Sequence, residues 1–221
     1  MAKTSSALMM LLSAFWLNGC SQQSGDAYLD SAKVALLGTP DIDLSADKIA
    51  SVPYASAYLT VGDLPRAFVV LAYAEQQQLK WVSADRNLFV MQQGRWVKTI
   101  GLAVNLAHIQ SEQPDPLADG LHIDGASWHW HAVWDKDYTS GRDLISRFKV
   151  LGPEQIDVGP TKRSLLAVEE AVSEAQGRFS YRNRYWLDPK TGTVIQSRQQ
   201  LGPDLPPLLF TQLKPHSPKE S

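Results

Sequence analysis

The only cysteine of the chain, Cys20, follows an apolar segment close to the amino terminus. Leu17, Asn18 and Gly19 precede it and match a lipobox, which has a branched apolar residue three positions before the cysteine and a small residue directly before it. This pattern predicts cleavage before Cys20 and attachment of several acyl chains, palmitate among them, which bind membrane with about 0.8 kcal/mol per buried methylene. The alternative is an ordinary signal peptide followed by an unmodified thiol.

Residues 1–19 have the composition of a secretory signal peptide. Lys3 is their single charged residue, and an apolar run of about eleven residues, positions 7–17, follows it. A transmembrane helix needs roughly twenty such residues, so a permanent membrane span is not expected here. We expect residues 1–19 to be removed and residues 20–26 to form a lipidated tether. Ser21, in place of an aspartate, favours the periplasmic side of the outer membrane.

Two histidines, His129 and His131, stand two positions apart in a segment with the pattern of a β-strand. Alternate residues of a strand share one face, so both imidazoles could bind one metal ion. A third ligand would have to come from Asp124 or Asp135, because no further cysteine exists. Ordinary surface histidines are the simpler interpretation, and we predict neither a metal site nor a cofactor.

The same segment carries Trp128, Trp130 and Trp134, which fall on the opposite face of the strand. Rows of tryptophan serve two purposes in proteins. They fill a core, where each ring removes about 150–250 Å² from water, or they form an exposed platform on which sugar rings stack. The core is the commoner outcome, and the platform makes these three residues candidates for glycan binding.

Acidic pairs are further candidates for chemistry, because a glycosidase needs two carboxyl groups a few ångströms apart. Glu169 and Glu170 are adjacent, so on a strand they point to opposite faces and do not converge. Asp135 and Asp137 could converge, but they flank Lys136 in a turn-like stretch, which is typical of solvated charges. The chain has no nucleophile elbow, no zinc-protease helix motif and no phosphate-binding glycine loop. We therefore predict no catalytic residue and no enzymatic activity.

The composition is that of a packed globular protein. Hydrophobic residues make up 44% of the chain, and seven residues are tryptophan, which argues against disorder. The formal net charge is −2 and the chain has no basic stripe, so nucleic acid is not an expected partner. A single cysteine cannot form a disulfide within the chain, so the stability of the domain must come from its core.

Apolar runs separated by turn residues predict a β-rich fold. Strands are predicted at residues 67–74, 87–91, 95–102, 127–134, 144–150, 178–187 and 193–201, with an edge strand at 208–213. The first of these is apolar throughout, as expected of a strand that is buried on both faces. Short helices are predicted at residues 27–37 and, capped by Ser45, at 45–51. Residues 113–120 are predicted to form a loop.

Residues 164–175 are compatible with a helix or a strand, and the alternating aromatic segment that follows favours the strand. Asp188, Pro189 and Gly192 predict a tight turn between the last two long strands. Many short strands with tight turns predict a mainly β fold, an antiparallel meander that forms a partly open or closed barrel, with a short N-terminal helix. We expect one β-rich domain over residues 27–216 with a proline-rich C-terminal tail.

Short groups of residues along the chain resemble the sequence pattern of a known group of proteins. They are Pro53, Tyr54, Ala55 and Ser56; Leu79, Lys80, Trp81 and Asp85; Gly94, Arg95, Lys98, Thr99, Gly101 and Leu102; Tyr185, Trp186, Leu187, Asp188 and Gly192; and Gln199, Pro203, Leu213, Lys214 and Pro215. Each piece is short, but their order and spacing resemble the YjbF/GfcB family of lipoproteins, which is associated with group 4 capsule and related exopolysaccharide operons. The resemblance covers most of the chain after Cys20.

This resemblance implies a periplasm-facing lipoprotein that works beside an outer-membrane β-barrel protein and a periplasmic partner in polysaccharide production or secretion. The family supplies no catalytic residue to carry over. We therefore expect a non-enzymatic accessory protein that binds a nascent glycan or a component of the secretion machinery. Two alternatives remain: a lipid-anchored polysaccharide hydrolase that uses Asp135 or Asp137, and a carrier of lipids or lipoproteins inside a curled sheet.

Overall fold

The computed structural model describes residues 41–136 and 140–217. These residues form a twelve-stranded antiparallel sheet that curls into a nearly closed barrel, which confirms the predicted fold class. Cys20, the predicted signal peptide, the predicted tether and the helix predicted at residues 27–37 lie outside the described residues. The strands are β1 (Ser56–Val61), β2 (Ala67–Glu75), β3 (Gln78–Ser83), β4 (Leu88–Gln92), β5 (Arg95–Ile100), β6 (Leu106–Gln110), β7 (Ser127–Trp134), β8 (Arg142–Val158), β9 (Thr161–Glu174), β10 (Ser180–Leu187), β11 (Val194–Gln199) and β12 (Leu208–Lys214).

The chain runs up and down around the barrel. The order of strands is β5-β4-β3-β2-β1-β12-β11-β10-β9-β8-β7-β6, so sequence neighbours are paired, and β1 pairs with β12. β5 and β6 stand at the two ends of this order, and within the described residues no backbone ladder joins them. We call the gap between these two strand edges the seam.

A short helix, α1 (Ala46–Ser51), precedes the barrel, as predicted. The Ser45 hydroxyl accepts a hydrogen bond from the Lys48 backbone N–H at 3.3 Å, which satisfies one free donor of the first turn. The backbone N–H of Leu44 donates to the Tyr58 hydroxyl at 2.6 Å and ties the segment before α1 to β1. Among the described residues, no helix combines the length and apolar character that a membrane crossing requires.

Side chains fill the interior of the barrel. Phe210 meets Trp81 and Trp96 edge to face, with ring centroids 5.2 and 5.4 Å apart. Gln199 of β11 reaches to β5, where it accepts a hydrogen bond from the Trp96 backbone N–H at 3.1 Å and donates to the Gly94 carbonyl at 2.8 Å. Aromatic pairs of this geometry contribute about 0.5–1.5 kcal/mol beyond their buried area. Strands that are distant in the sheet are therefore held together through the core.

The β8–β9 hairpin bends over the outer surface of the barrel. β8 and β9 have 17 and 14 residues, about twice the 8 residues of their neighbours β7 and β10. The register shifts at a bulge near Gly152, and beyond it Glu154 pairs with Arg184 and accepts a hydrogen bond from the Trp186 indole at 2.8 Å. The bent hairpin thereby contributes to a second, small core on the outer face, formed by Val158, Leu165, Ala167, Trp186 and Ile195.

Two predictions about strands are wrong. β2 is not buried on both faces, because it pairs with β1 only over residues 67–70 and residues 72–75 are exposed beyond that point. β12 is not an edge strand, since it lies between β1 and β11. Pro206, Pro207 and Pro215 flank β12 without entering it, so both edges of the strand keep their N–H donors.

Further differences concern short elements. The predicted strands do not include β1, β3 or β6, which have five or six residues each and mix polar with apolar positions. The predicted loop at residues 113–120 overlaps a 3₁₀ segment, Pro116–His122.

Two further predictions are confirmed. Residues 164–175, for which a helix and a strand were both compatible, form a strand, β9. The predicted hairpin at Gly94 is present, with a φ of +92° at the glycine.

Candidate functional site

The three candidate tryptophans of β7 point into the barrel. Trp128, Trp130 and Trp134 are 3%, 7% and 1% exposed, and each indole N–H donates to a protein oxygen at 2.9–3.1 Å. Trp128 and Trp130 stack with their ring centroids 5.2 Å apart. This is the core arrangement, so the row does not form an exposed stacking platform. Glycan binding through these rings stays a prediction, although Trp128 lines a cavity described below.

The two candidate histidines project from the outer face of β7, as the alternation predicts. His131 Nδ1 lies 2.8 Å from Asp143 Oδ1. Asp124, a possible third metal ligand, instead accepts a hydrogen bond from the Val150 backbone N–H at 2.8 Å. In the described part of the chain, no group of three or more histidine, cysteine, aspartate or glutamate side chains is placed to hold a metal ion.

Asp135 follows β7 directly and is fixed by Asn105, which lies in the connection between β5 and β6. Its carboxylate accepts hydrogen bonds from the side-chain amide and the backbone N–H of Asn105, both at 2.8 Å. These hydrogen bonds hold the pKa of Asp135 below its ordinary value. An ionised carboxylate held in this way orders a loop and is not suited to donate a proton. Asp137, its candidate partner, lies outside the described residues.

A cluster of charges is buried inside the barrel next to the seam. Arg95 of β5 pairs with Asp115, which follows β6, and with Glu170 of β9, whose Oε1 lies 2.9 Å from Arg95 Nη2. Arg95 is 2% exposed and Glu170 is fully buried. Asp115 also accepts a hydrogen bond from the Leu117 backbone N–H at 3.0 Å and so caps the 3₁₀ segment. We call Arg95, Asp115 and Glu170 the ion cluster.

Hydrogen-bond donors surround the carboxylate of Glu170. In addition to Arg95, Asn183 and Tyr185 donate to its Oε2 at 2.9 Å each, and Ser146 donates to its Oε1 at 2.5 Å. Burial alone would raise the pKa of Glu170, but the charge of Arg95 and these hydrogen bonds outweigh burial and lower the pKa. Burial likewise opposes the charge of Arg95, yet the neighbouring carboxylates raise its pKa well above the ordinary value. Both groups are therefore charged at neutral pH.

Aromatic rings surround the guanidinium group of Arg95. Its central carbon lies 4.7 Å from the ring centroid of Trp128, 5.5 Å from that of Trp130, 5.8 Å from that of Tyr185 and 6.0 Å from that of Phe148. Cation–π contacts contribute about 2 kcal/mol when they are desolvated. The tryptophan row of β7 therefore stabilises a buried cation in addition to filling the core.

The ion cluster is arranged to hold strands together. A general acid needs a raised pKa, and a nucleophile needs access to its substrate, whereas Glu170 is ionised, buried and surrounded by donors. The side chains that meet there come from β5, β8, β9, β10 and the segment after β6. They join the two sides of the seam where backbone hydrogen bonds do not. Breaking a buried ion pair of this kind typically costs about 3–5 kcal/mol.

The sequence pattern does not reveal the ion cluster. Arg95 and Glu170 are 75 positions apart, and no local pattern indicates which strands meet inside a barrel. One signal was available: Glu170 occupies an inward position of β9, between Val168 and Val172. A carboxylate at an inward position of an apolar strand face requires a buried partner.

A cavity of about 480 Å³ opens along the seam. At one end of the seam, the Leu106 backbone N–H donates to Thr99 Oγ1 at 3.0 Å, and at the other end Arg95 pairs with Asp115. Side-chain contacts thus connect the two sides of the seam at both of its ends. The residues of β5, β6 and the following segment that line this seam cavity include Val97, Lys98, His108, Gln110, Gln113 and Asp115.

A second cavity, of about 720 Å³, lies at the end of the barrel that carries the β2–β3, β4–β5 and β10–β11 turns. The 3₁₀ segment and the β10–β11 turn form one side of this rim cavity. They touch at Gly120 and Gly192, where a Cβ added to Gly192 would lie 2.9 Å from the Cα of Gly120. The rim cavity and the seam cavity adjoin, because Gln77, Gln78 and Gln93 line both.

Glutamine is the characteristic residue of these two cavities. Among the described residues, eight glutamines line them, at positions 76–78, 92, 93, 110, 113 and 212. They come from the β2–β3 turn and the start of β3, from the end of β4 and the turn after it, from β6 and the segment after it, and from β12. We call them the rim glutamines, and their primary amides can donate and accept hydrogen bonds at once.

Known proteins match the chain over nearly its full length. The family model described as group 4 capsule polysaccharide lipoprotein gfcB, YjbF matches residues 29–213, a range that contains β1 to β11 and all of β12 except its last residue. Two proteins of Escherichia coli (strain K12) are similar. The uncharacterized lipoprotein GfcB is 33% identical over 94% of this chain and 98% of its own length, and the uncharacterized lipoprotein YjbF is 37% identical over 93% and 96%.

A crystal structure shares the fold. It is that of the hypothetical lipoprotein YmcC from Escherichia coli (K12), which matches with a TM-score of 0.73 and 33% sequence identity and covers 90% of this chain and 100% of that chain. Sequence and fold agree over the same extent of the molecule. The chain therefore belongs to the YjbF family of group 4 capsule polysaccharide lipoproteins.

Proposed function

We propose that the protein is an outer-membrane-anchored lipoprotein that acts as a non-enzymatic accessory factor in the assembly or secretion of a capsule or exopolysaccharide. Family membership supports the process, because the family's description names capsule polysaccharide and lipoprotein together. The lipobox before Cys20 supports the anchor, and Ser21 supports the outer membrane. The protein faces the periplasm and works beside an outer-membrane β-barrel protein and a periplasmic partner.

The state of the acidic side chains carries the non-enzymatic part of this proposal. Glu170 is ionised and sealed in the ion cluster, and Asp135 is fixed by Asn105. Neither carboxyl group is prepared to exchange a proton with a glycosidic oxygen, which is what polysaccharide hydrolysis demands. The names of the two Escherichia coli relatives contain no enzyme activity. These observations favour a protein that binds over one that cleaves.

Deletion of the gene tests the process. We expect polymer to disappear from the cell surface while synthesis of its precursors continues. Wild-type protein supplied from a plasmid should restore the polymer, whereas a Cys20→Ala variant, which cannot be acylated, should not. Surface polymer that is unchanged in the deletion strain would contradict the proposed function.

Two measurements separate the finer parts of the proposal. Membrane fractionation should find the protein in the outer membrane, and a Ser21→Asp variant should move to the inner membrane. Purified protein incubated with the polymer of its own strain should leave the chain length unchanged. Shortening that disappears in an Asp135→Ala variant would establish a hydrolase instead.

A further inference from the structure

The rim glutamines present their amide groups to the two cavities without protein partners. No hydrogen bond joins any of these eight side chains to another residue in the described part of the chain. Gln199, which lies inside the barrel, is different, because its amide bonds to the Gly94 carbonyl, the Ser197 hydroxyl and the Trp96 backbone N–H. The amides of the rim are thus available for a ligand.

Some of these glutamines occupy backbone conformations that do not suit glutamine. Within the described ranges, five non-glycine residues have a positive φ, and Gln76, Gln77 and Gln93 are three of them, at +50°, +64° and +50°. Two-residue hairpin turns with this geometry prefer Asn-Gly, since most side chains are strained there. Strained non-glycine residues gather at functional sites, so their position beside the cavities indicates a role in binding.

The charges around the cavities are balanced. The lining contains Lys98 and Lys190 together with Glu75, Asp115 and Asp119. Glu75 is paired with Lys80, and Asp115 is paired with Arg95. A strongly anionic or cationic ligand would therefore gain little from this surface. The lining suits a ligand that is uncharged and rich in hydroxyl groups.

We propose that the rim glutamines bind an uncharged stretch of a polysaccharide chain along the adjoining rim and seam cavities. Each amide can donate to one sugar hydroxyl and accept from the next. The two volumes lie within the range of roughly 300–1,000 Å³ that is typical of ligand sites, and their continuity favours an elongated ligand. This inference deepens the proposed function, since it names the ligand of an accessory protein in polysaccharide production.

Binding of defined oligosaccharides tests the inference. The probe is a set of oligosaccharides released by partial hydrolysis from the surface polymer of the same strain, added to the full lipoprotein in detergent micelles. We expect saturable binding by calorimetry that changes little between 0.05 and 0.5 M salt, conditions that screen charge–charge attraction. Gln110→Ala and Gln113→Ala should each weaken binding by about three- to tenfold, the value of one hydrogen bond.

Matched controls are available in the same protein. Gln155 and Gln176 are exposed, as are Gln110 and Gln113, but they lie outside both cavities. Gln155→Ala and Gln176→Ala should bind as the wild type does, and all four variants should keep its tryptophan fluorescence. Equal losses in rim and control variants, binding that falls steeply with salt, or no binding by the wild type would each overturn the inference.

Two further outcomes keep this inference distinct from others. An extended peptide that paired with the β5 or β6 edge would be held by backbone groups and not by the glutamine side chains. A neutral Gly-Ser peptide tests this alternative. If the peptide displaces the oligosaccharide and the glutamine substitutions have no effect on binding, glycan recognition by the rim glutamines is overturned. If the wild type does not bind the oligosaccharides while gene deletion still removes surface polymer, the inference fails and the proposed function stands. If it binds while deletion leaves the polymer intact, the proposed function fails.

Discussion

Two adjacent glutamates of β9 show how burial changes the contribution of an ion pair to the free energy of unfolding. Glu170 is sealed inside the barrel with Arg95, whereas Glu169 points outwards and pairs with Arg182 at the surface. We expect Glu170→Gln to lower the free energy of unfolding by about 3 kcal/mol, because an amide nitrogen would face donors that need an acceptor. Glu169→Gln should cost less than about 1 kcal/mol. Urea unfolding followed by tryptophan fluorescence measures both.

The comparison also tests the role assigned to the ion cluster. Equal losses of stability in the two glutamate variants would mean that the buried cluster does not hold the seam. A Glu170→Gln protein that is more stable than the wild type would show that desolvation of the charges outweighs their attraction.

Glu174 is the last residue of β9. Its environment predicts that the stability of the protein falls at acidic pH. Its carboxylate accepts hydrogen bonds from the side chain of Arg178 and from the backbone N–H groups of Arg178 and Gln176, which lower its pKa to about 2 from an ordinary value of 4.5. Because the folded-state pKa is the lower one, this contribution to stability is complete above about pH 4.5 and is lost as the pH falls towards 2.

Substitution of Glu174 isolates that contribution. We expect Glu174→Gln to flatten the decline of stability between pH 4.5 and 2, and to leave the slope above pH 6 as it is in the wild type. The measurement is the urea midpoint at half-unit steps of pH. Identical slopes for the two proteins below pH 4.5 would contradict the prediction.

Residue-level prediction succeeded where it depended on alternation and failed where it depended on pairing. The two-residue period of a strand correctly assigned Trp128 and His129, and likewise Glu169 and Glu170, to opposite faces. It did not indicate that Arg95 lies between Trp128 and Glu170. That contact depends on how the sheet closes, which is a property of the whole chain.

At the scale of elements, strands with a strong apolar pattern or a clear hairpin turn were predictable, whereas the short strands β1, β3 and β6 were not. β7 has the predicted bounds, and β9 to β12 lie within three residues of theirs. β3 and β6 were missed because polar residues interrupt their short apolar patterns, and β6 also has exposed positions. The extension of β8 to Val158 was also missed, since Gly152 and Pro153 indicate a turn but form a bulge within a bent hairpin.

The contact between the 3₁₀ segment and the β10–β11 turn provides a test at this scale. Gly192 has a φ of +71° and touches the backbone of Gly120, while Gly177 has a φ of +77° and would have nothing within 4 Å of an added Cβ. Both alanine variants carry left-handed strain of about 1–2 kcal/mol. We expect Gly192→Ala to lose about 1–2 kcal/mol more than Gly177→Ala, because a backbone contact must also open.

The same pair of variants reports on the rim cavity. Gly192 lines it and Gly177 does not, so oligosaccharide binding should weaken in the first variant and persist in the second. Equal thermal unfolding temperatures for the two variants would show that the two connections do not pack tightly against each other.

At the scale of the whole molecule, the packed interior bears on the possible ligands. Rings such as Trp81, Trp96 and Phe210 occupy one part of it, and the ion cluster occupies another. A lipid carrier needs an apolar interior space for acyl chains. The residues that line the rim cavity and the seam cavity instead include many glutamine amides. This lining disfavours the alternative that the protein carries lipids.

The way in which the barrel closes leads to a prediction about its dynamics. Eleven strand pairs in the described sheet are joined by backbone ladders, whereas the seam between β5 and β6 is joined by side chains, with Thr99 and Leu106 at one end and Arg95 and Asp115 at the other. Strand edges without a ladder open more readily than interior strands. Hydrogen–deuterium exchange should therefore be faster in peptides that cover β5 and β6 than in those that cover β9 and β10.

A single substitution can remove one side-chain contact across the seam and leave the backbone hydrogen bonds between paired strands intact. Thr99→Val removes the acceptor for the Leu106 backbone N–H, so exchange in β5 and β6 should become about three- to tenfold faster, as the loss of one hydrogen bond implies. Thr60→Val, on the interior strand β1, which lies between β2 and β12 and away from the seam, should leave these rates unchanged. Equal protection across all twelve described strands in the wild type would mean that the seam is closed as firmly as the rest of the barrel. The same measurement with oligosaccharide present connects motion to binding, because a ligand seated between β5 and β6 must slow the exchange of those two strands.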